Sequence, residues 1–170
     1  MNGKLVFLRA MEPDDIDILY NWENDISLWQ VSNTLAPYSR FSLEQYVMNS
    51  AQDIYTTRQL RLMIVENNTK ETVGTIDLFD FEPAHMRAGI GIMIKEDNRQ
   101  QGLAGDALGL VIDYAFRTLN LHQLFCNITS DNTASLRLFQ KFGFVIAGHK
   151  KQWLQRQSGW TDEFFLQLIP

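Results

Sequence analysis

The chain has 170 residues, of which 45% are hydrophobic and 21% charged, and its net charge is −5. That length suits one domain with a substantial core, and the composition is globular rather than disordered or fibrous. The acidic balance argues against a general nucleic-acid binder, which carries a basic surface, and no apolar run approaches the roughly 20 residues of a membrane span.

Residues 4–11 (KLVFLRAM) read as a first strand. A helix follows in EPDDIDILYNWEND, where Pro13 suits the first turn and Asp14, Asp15 and Asp17 favour its positive end. Ile16, Leu19 and Tyr20 supply its buried face. A polar segment, SNTLAPYSR, leads to a second helix with a capping-box pattern in Ser42 and Gln45. Three strands come next, at residues 59–67, 72–81 and 87–94, the first two joined by the turn NNTKE. Residues 103–120 carry apolar side chains at 103, 107, 110, 111, 114 and 115, which is helical spacing. HQLFCNITS is a further strand. DNTASLRLFQKFGF is a helix with Asn132 as its N-cap and Gly143 as its terminator. Residues 145–154 and 162–169 are closing strands joined through QSGW. The order β-α-α-β-β-β-α-β-α-β-β predicts a mixed sheet with helices, in one domain over residues 1–170.

The single cysteine, Cys126, excludes an internal disulfide and, within the apolar run LFCNI, reads as a small buried apolar residue. His85, His122 and His149 have no acidic residue beside them at ligand spacing, so no metal site is expected. The opening MNGKLVFLRAMEPDD lacks the apolar core and cleavage site of a signal peptide, which predicts a cytoplasmic protein.

The stretch RQQGLAGDAL, residues 99–108, joins a strand to a helix through a tight glycine turn. Such a turn is an anion site on physical grounds, because the first N–H groups of a helix lack intrahelical partners and lie at its positive end. Gly102 lets the backbone approach an anion, while Ala104 and Gly105 keep the first turn free of bulk. No lysine follows the glycines, so this is not a Walker loop, and the first glycine of a dinucleotide fingerprint is missing. Taken alone, the segment is equally a structural strand-to-helix turn.

The combination of motifs is more specific. RQQGLAGDA resembles the Arg/Gln-x-x-Gly-x-Gly/Ala motif of the GNAT N-acetyltransferases. So do the strand GIGIMI before it, the strand-helix unit NITSDNTASLRLFQKFGF after it, and the order of elements. LVFLRAMEPDDIDILYNWEND resembles the opening of the family's ribosomal-protein and spermidine/diamine branches. The resemblance covers essentially the whole chain. It implies an α/β (α+β) GNAT fold, a mixed, mostly antiparallel central sheet of about seven strands flanked by about four helices.

The resemblance also implies acetyl-CoA as co-substrate. Its pyrophosphate would lie on Arg99, Gln100, Gln101, Gly102, Leu103, Ala104 and Gly105. Ile92, Met93 and Ile94 would splay from their neighbour strand and pair by backbone with pantetheine. Asn132 and its helix would flank the thioester end, with Lys141 as a further cofactor contact. Family chemistry is direct transfer to a neutral amine, with a backbone N–H near Ile92 as donor to the oxyanion.

Two departures bear on that chemistry. Many relatives protonate the leaving thiolate with a tyrosine at the position of Phe139, which here reads as a packed aromatic on the inner face of its helix. A thiol pKa of about 8.5 makes the thiolate a tolerable leaving group, and losing a general acid costs roughly 10² to 10⁴ in rate. The thiolate is then expelled unaided or protonated through water, with Ser135, one turn earlier, as the residue that would position it. Gly89 stands where polyamine relatives often carry a glutamate. Asp77, Asp80 and Glu23 are then the acids expected to meet the amine, although on a regular strand Asp77 and Asp80 point to opposite faces. Trp29 is expected to wall the acceptor cleft and Trp22 to pack in the core.

The leading acceptor is a small amine, a diamine or polyamine. The alternatives are a protein N-terminus or side chain, and a CoA-binding module without useful catalysis. Thr34 and Leu35 replace the paired glutamates of the spermidine branch's polyamine loop. The resemblance further implies a homodimer or larger homo-oligomer, with the apolar strand EFFLQLI available at a subunit edge, while the charge and the lack of a long apolar run lead us to expect no nucleic-acid or membrane partner.

Overall fold

Seven strands build the sheet: β1 (Val6–Ala10), β2 (Leu60–Glu66), β3 (Thr72–Glu82), β4 (Arg87–Ile94), β5 (Gln123–Thr129), β6 (Val145–Arg156) and β7 (Gly159–Leu168). Six helices accompany them: α1 (Ile16–Glu23), α2 (Ile26–Ser32), α3 (Arg40–Asn49), α4 (Ile54–Thr57), α5 (Leu103–Arg117) and α6 (Thr133–Lys141). The computed structural model describes residues 1–170 apart from Asn33, Ala51, Gln157 and Ser158, and apart from the side chains of Gln30, Val31 and Ser32. The sheet order is β1-β2-β3-β4-β5-β7-β6. All neighbours are antiparallel except β4 and β5, which are parallel.

Period-two alternation divides the core between the two faces. On β2, Leu62 and Ile64 join Ile76, Leu78 and Ile90 beneath α5. Met63 points the other way and packs with Met11, Leu19 and Val47 beneath α1 and α3. Of the apolar stripe read for α5, Leu103, Ala107, Val111 and Ala115 are buried and Leu110 and Tyr114 half-buried, while Leu108, outside that stripe, is buried as well.

Several elements differ from the sequence expectation. The first helix is a 3-10 turn at Pro13–Asp15 followed by α1, and α2 and α4 are additional short helices. Tyr20 is exposed rather than part of the buried face. The cap of α3 is Ser39, whose hydroxyl accepts from Ser42 N–H at 3.0 Å, so Ser42 and Gln45 lie inside the helix and form no capping box. The α5 helix stops at Arg117 rather than at residue 120. The strands β6 and β7 are longer than expected, and Gln157 and Ser158 of their connection lie outside the described residues. EFFLQLI is not at an edge as expected: up to Leu168 it lies in β7, which pairs with β5 on one side and β6 on the other, so the outer strand is β6.

The caps of α6 stand as read. Asn132 accepts from Ser135 N–H at 3.1 Å. At the other end Gly143, at φ 90°, lets its own N–H reach Gln140 and the Phe144 N–H reach Phe139, a Schellman closure.

Candidate active site

Among the described residues, the one parallel pairing of the sheet is also its shortest. β4 pairs with β5 only from Arg87 to Gly89, opposite Gln123 to Phe125, although both strands continue. Beyond Gly89 they diverge, and a cleft of about 1980 Å³ opens between them.

The register of β3 and β4 sets which backbone groups face that opening. Lys95 N–H donates to the Val73 carbonyl at 2.8 Å, one step beyond the Gly74–Ile94 pair. Hydrogen-bonded pairs alternate with non-bonded ones along an antiparallel ladder. Met93 and Gly91 are therefore bonded to β3, while the N–H and C=O of Ile92 and Ile94 point away from it, into the opening. This corrects the expectation for Met93, whose backbone is engaged with β3 although its residue lines the cleft.

One end of the cleft is the glycine turn. Gln100 and Gly102 both take left-handed conformations, at φ 62° and 83°, and Gly102 caps α5. The first bond of α5 runs from Asp106 N–H to the Gly102 carbonyl at 3.1 Å, so the N–H groups of Leu103, Ala104 and Gly105 precede the ladder. The donor set therefore fits an anion such as a pyrophosphate. Arg99 folds back, with Nε on the Ile94 carbonyl at 3.1 Å. Gln101 does not join the cleft; its amide donates to the Asp97 carbonyl at 3.2 Å. Asp106 holds the first strand against this turn by accepting from Leu5 and Val6 N–H at 2.7 and 3.0 Å. A Cβ at Gly3 would lie 2.4 Å from that carboxylate, so only glycine permits the approach.

The α6 wall carries Asn132, Ser135, Phe139 and Lys141, all lining the cleft. Ser135 and Phe139 are one turn apart on one face. Phe139 is 3% exposed and meets Phe144 edge-on at 5.0 Å, as expected of a packed aromatic. Cys126 is buried in the same region, and burial pushes its thiol up to about 12. No tyrosine lines the cleft among the described residues.

The opposite end lies on the α1 face of the sheet. Asp77 stands directly across from Arg61 in the β2–β3 register. Arg61 Nε meets Asp77 Oδ1 at 2.6 Å and Arg61 Nη1 meets Glu23 Oε1 at 2.6 Å. Its guanidinium also lies 5.4 Å from the centre of the Tyr46 ring. Burial pulls the Arg61 pKa down, but Asp77, Tyr46 and Glu23 outweigh it and the net shift is upward. Burial likewise pushes Tyr46 up to about 12, which keeps its hydroxyl protonated. Across the cleft, Lys150 Nζ binds Glu163 Oε2 at 2.7 Å and Asn127 Oδ1 at 2.8 Å.

Glu23 and Asp77 thus sit in the cleft as expected, but Asp80 and Trp29 do not. Asp80 falls in a bulge between Phe79 and Glu82, at φ 47°, and lines a separate cavity of about 340 Å³. Trp29 donates its indole N–H to the Glu23 carbonyl at 2.9 Å and holds the α1–α2 corner; Trp22 and Leu28 wall the cleft instead. Sequence reading missed Arg61, Phe79, Lys150 and Glu163. For Arg61 and Glu163 the visible signal was a charge in otherwise apolar strands, QLRLMIVE and EFFLQLI; Phe79 and Lys150 carried none.

No group of three or more His, Cys, Asp or Glu among the described residues is arranged to hold a metal ion, and no described helix is long and apolar enough to cross a membrane.

The acetyltransferase (GNAT) domain family matches residues 6–145. The spermidine N(1)-acetyltransferase of Vibrio cholerae is 28% identical over 152 residues, covering 88% of this chain and 83% of that protein. An L-methionine sulfoximine/L-methionine sulfone acetyltransferase of Pseudomonas paraeruginosa is 26% identical over 141 residues, covering 81% of each. In three dimensions the chain superimposes on a Vibrio cholerae spermidine N-acetyltransferase in complex with CoA and spermine with a TM-score of 0.87 at 22% identity, over 97% of this chain and 95% of that one. The family match spans residues 6–145 of the 170, and the chain, whose sheet splits after Gly89 with a glycine turn and helix N-terminus at the split, belongs to the GNAT family of N-acetyltransferases.

Proposed function

We propose that this enzyme transfers the acetyl group of acetyl-CoA directly to a primary amine of a small molecule, with a diamine or polyamine as acceptor. The observation that carries the reading is the divergence of β4 from β5 after Gly89, which turns the Ile92 N–H into a cleft ending at the α5 turn.

The chain's own groups divide the work. The N–H groups of Leu103 to Gly105 and the backbone of Ile92 and Ile94 bind the pyrophosphate and pantetheine, and the bound co-substrate supplies the activated acetyl group. Ile92 N–H donates to the carbonyl oxygen as negative charge grows on it. Holding amine and thioester side by side removes the entropy of encounter. An alkyl ammonium, with a pKa of roughly 10, loses one proton to solvent before it attacks, and the nitrogen loses a second to water as the C–S bond breaks and the amide forms. Glu23 and Asp77 attract the ammonium form of the acceptor. Phe139 has no proton to give, so the thiolate departs unaided or takes one from water held by Ser135. Wild-type turnover in Ser135→Ala would remove that role.

The polyamine class is supported by the spermidine acetyltransferase relatives and by the carboxylates of Glu23 and Asp77 at the α1 end of the cleft. Assembly into a homo-oligomer is supported by a dodecameric spermidine N-acetyltransferase from Vibrio cholerae and by exposed Val145 and Ile146 on the edge strand β6. Light scattering on the purified protein tests it. We take the cytoplasm as the compartment.

The test of the reaction is CoA release from acetyl-CoA, followed with a thiol reagent across diamines, polyamines, amino sugars and short peptides. Amine-dependent release is expected. Confirmed acetyl-CoA binding without release for any acceptor would reduce the protein to a CoA-binding module. Preferential use of peptides would move it to protein acetylation.

A further inference from the structure

Lys150 brings a primary amine of the chain itself into the cleft. Its Nζ donates to Glu163 Oε2 at 2.7 Å and to Asn127 Oδ1 at 2.8 Å, and 34% of its side chain is exposed. Cross-strand partners share a face of a sheet, and side chains alternate along each strand. Asp77 pairs with Gly91, Gly89 with Phe125, Thr129 with Glu163, and Glu163 with Lys150. Steps of two along β4 and β5 therefore set Asp77, Asn127, Glu163 and Lys150 on one face, the face on which α1 packs. Through Asn127 the lysine reaches past β7 to β5, two residues beyond the last β4–β5 pair, so Nζ stands at the wall of the split. Ile92 lies across the gap, three residues beyond that pair on β4. Lys4 and Lys141 also line the cleft, but beside the α5 turn and on α6, and those helices pack against the other face.

We infer that Lys150 is a self-acetylation site: without an acceptor amine, its Nζ takes the acetyl group of the acetyl-CoA bound in the same chain. The inference rests on the acetyl-CoA site of the reading above. The ammonium at rest is no nucleophile. Passing one proton to Glu163, already in contact, leaves an uncharged amine on the face that carries Glu23 and Asp77. A lysine head on a flexible four-carbon stem has the reach to swing from Asn127 into the split. The nitrogen attacks the thioester carbonyl carbon, the C–S bond breaks, the thiolate leaves, and the second proton passes to water as the amide forms. Nucleophile and thioester belong to one complex, so the step needs no encounter. It is slow, since the ammonium must first give up its bonds to Glu163 and Asn127, and an acceptor amine in the cleft outruns it. The product removes the positive charge beside Glu163 and leaves an acetyl group at the acceptor end, so the modified chain turns amines over more slowly.

The experiment is incubation of the unmodified protein and of Lys150→Arg with acetyl-CoA, followed by intact mass and peptide mapping, with CoA release recorded in the absence and presence of putrescine and the other amines. Without amine, one acetyl group per chain is expected on Lys150. It should form about tenfold or more faster than on the exposed Lys70, Lys95 and Lys151, at a rate per chain independent of protein concentration. Putrescine should suppress it, and amine-dependent release by the treated protein should fall as the acetylated fraction rises. Lys150→Arg keeps a cation beside Glu163 but offers no amine, and should release no CoA until an acceptor is added. The peptide map of the unmodified protein carries the test if Lys150→Arg does not fold. Lys150 modified no faster than the three exposed lysines, while an added amine drives release, would overturn the inference and leave amine acetylation standing. Acetylated Lys150 with no release for any added amine would uphold the inference and overturn the small-amine reading. Neither release nor modified Lys150, despite acetyl-CoA binding, would overturn both.

Discussion

The ring of Phe79 occupies the space that a side chain at position 89 would need: a Cβ on Gly89 would lie 2.3 Å from Phe79 Cε2. The two residues are partners in the β3–β4 register. Phe79 meets Phe125 edge-on at 6.0 Å, and Phe125 leans on Phe165 at 5.6 Å. An aromatic cluster thus fills the place where a carboxylate at position 89 would project, and the acids on the α1 side of the cleft are Glu23 and Asp77.

Gly89→Ala should therefore destabilise the protein by about 1–3 kcal/mol, the cost of overpacking a filled site. In a Phe79→Ala background most of that cost should vanish, since the ring is the atom group in the way. Urea unfolding of the two singles and the double measures the coupling. Equal costs in both backgrounds would place the conflict elsewhere.

Phe139→Tyr introduces the missing proton donor at a position 3% exposed that lines the cleft. We expect kcat to rise about tenfold or more with KM for acetyl-CoA unchanged. The new hydroxyl, buried without a protein partner, should cost about 1–3 kcal/mol of stability. A lower kcat in a folded variant would show that thiolate protonation does not limit turnover.

Acid stability should depend on Asp15. Its carboxylate is 7% exposed and bonds both nitrogens of the Arg9 fork, at 2.6 and 2.7 Å, and Glu12 N–H at 2.8 Å. Burial alone would raise its pKa, but Arg9 and the Glu12 N–H outweigh burial and hold it below the ordinary carboxylate value. A depressed folded pKa contributes stability that is fully present above the unfolded value of about 3.9 and is lost as pH falls through the folded one. Asp15→Asn should be less stable at neutral pH by about 1–2 kcal/mol, allowing for solvent at Arg9, and the gap should close below about pH 4. Urea midpoints across pH 2–7 for both proteins would reveal a gap that persists in acid, contrary to this account.

Cys126 should be silent to thiol reagents in the native protein. It is 3% exposed, and burial pushes its thiol up to about 12, far from the thiolate form that reacts. One thiol should appear on unfolding and none before it. Fast native labelling would mean that the cleft opens around β5.

Local signals in the chain determined most of the scaffold. Helical spacing identified the α5 stripe, alternation and turns identified the strands, and Asn132 and Gly143 marked the ends of α6, because caps and periodicity depend on neighbours within a few residues. The phosphate-type turn at Gly102 was legible for the same reason. Tertiary structure alone decided the contents of the cleft. Arg61, Glu23 and Asp77 come from β2, α1 and β3, and only the antiparallel register sets the first and last opposite each other. The bulge after Phe79 removed Asp80 from the site, and the α1–α2 corner turned Trp29 away and Trp22 inward. Register, bulges and helix corners are set by which apolar faces can be buried together, a property of the whole packed sheet rather than of any short stretch of sequence.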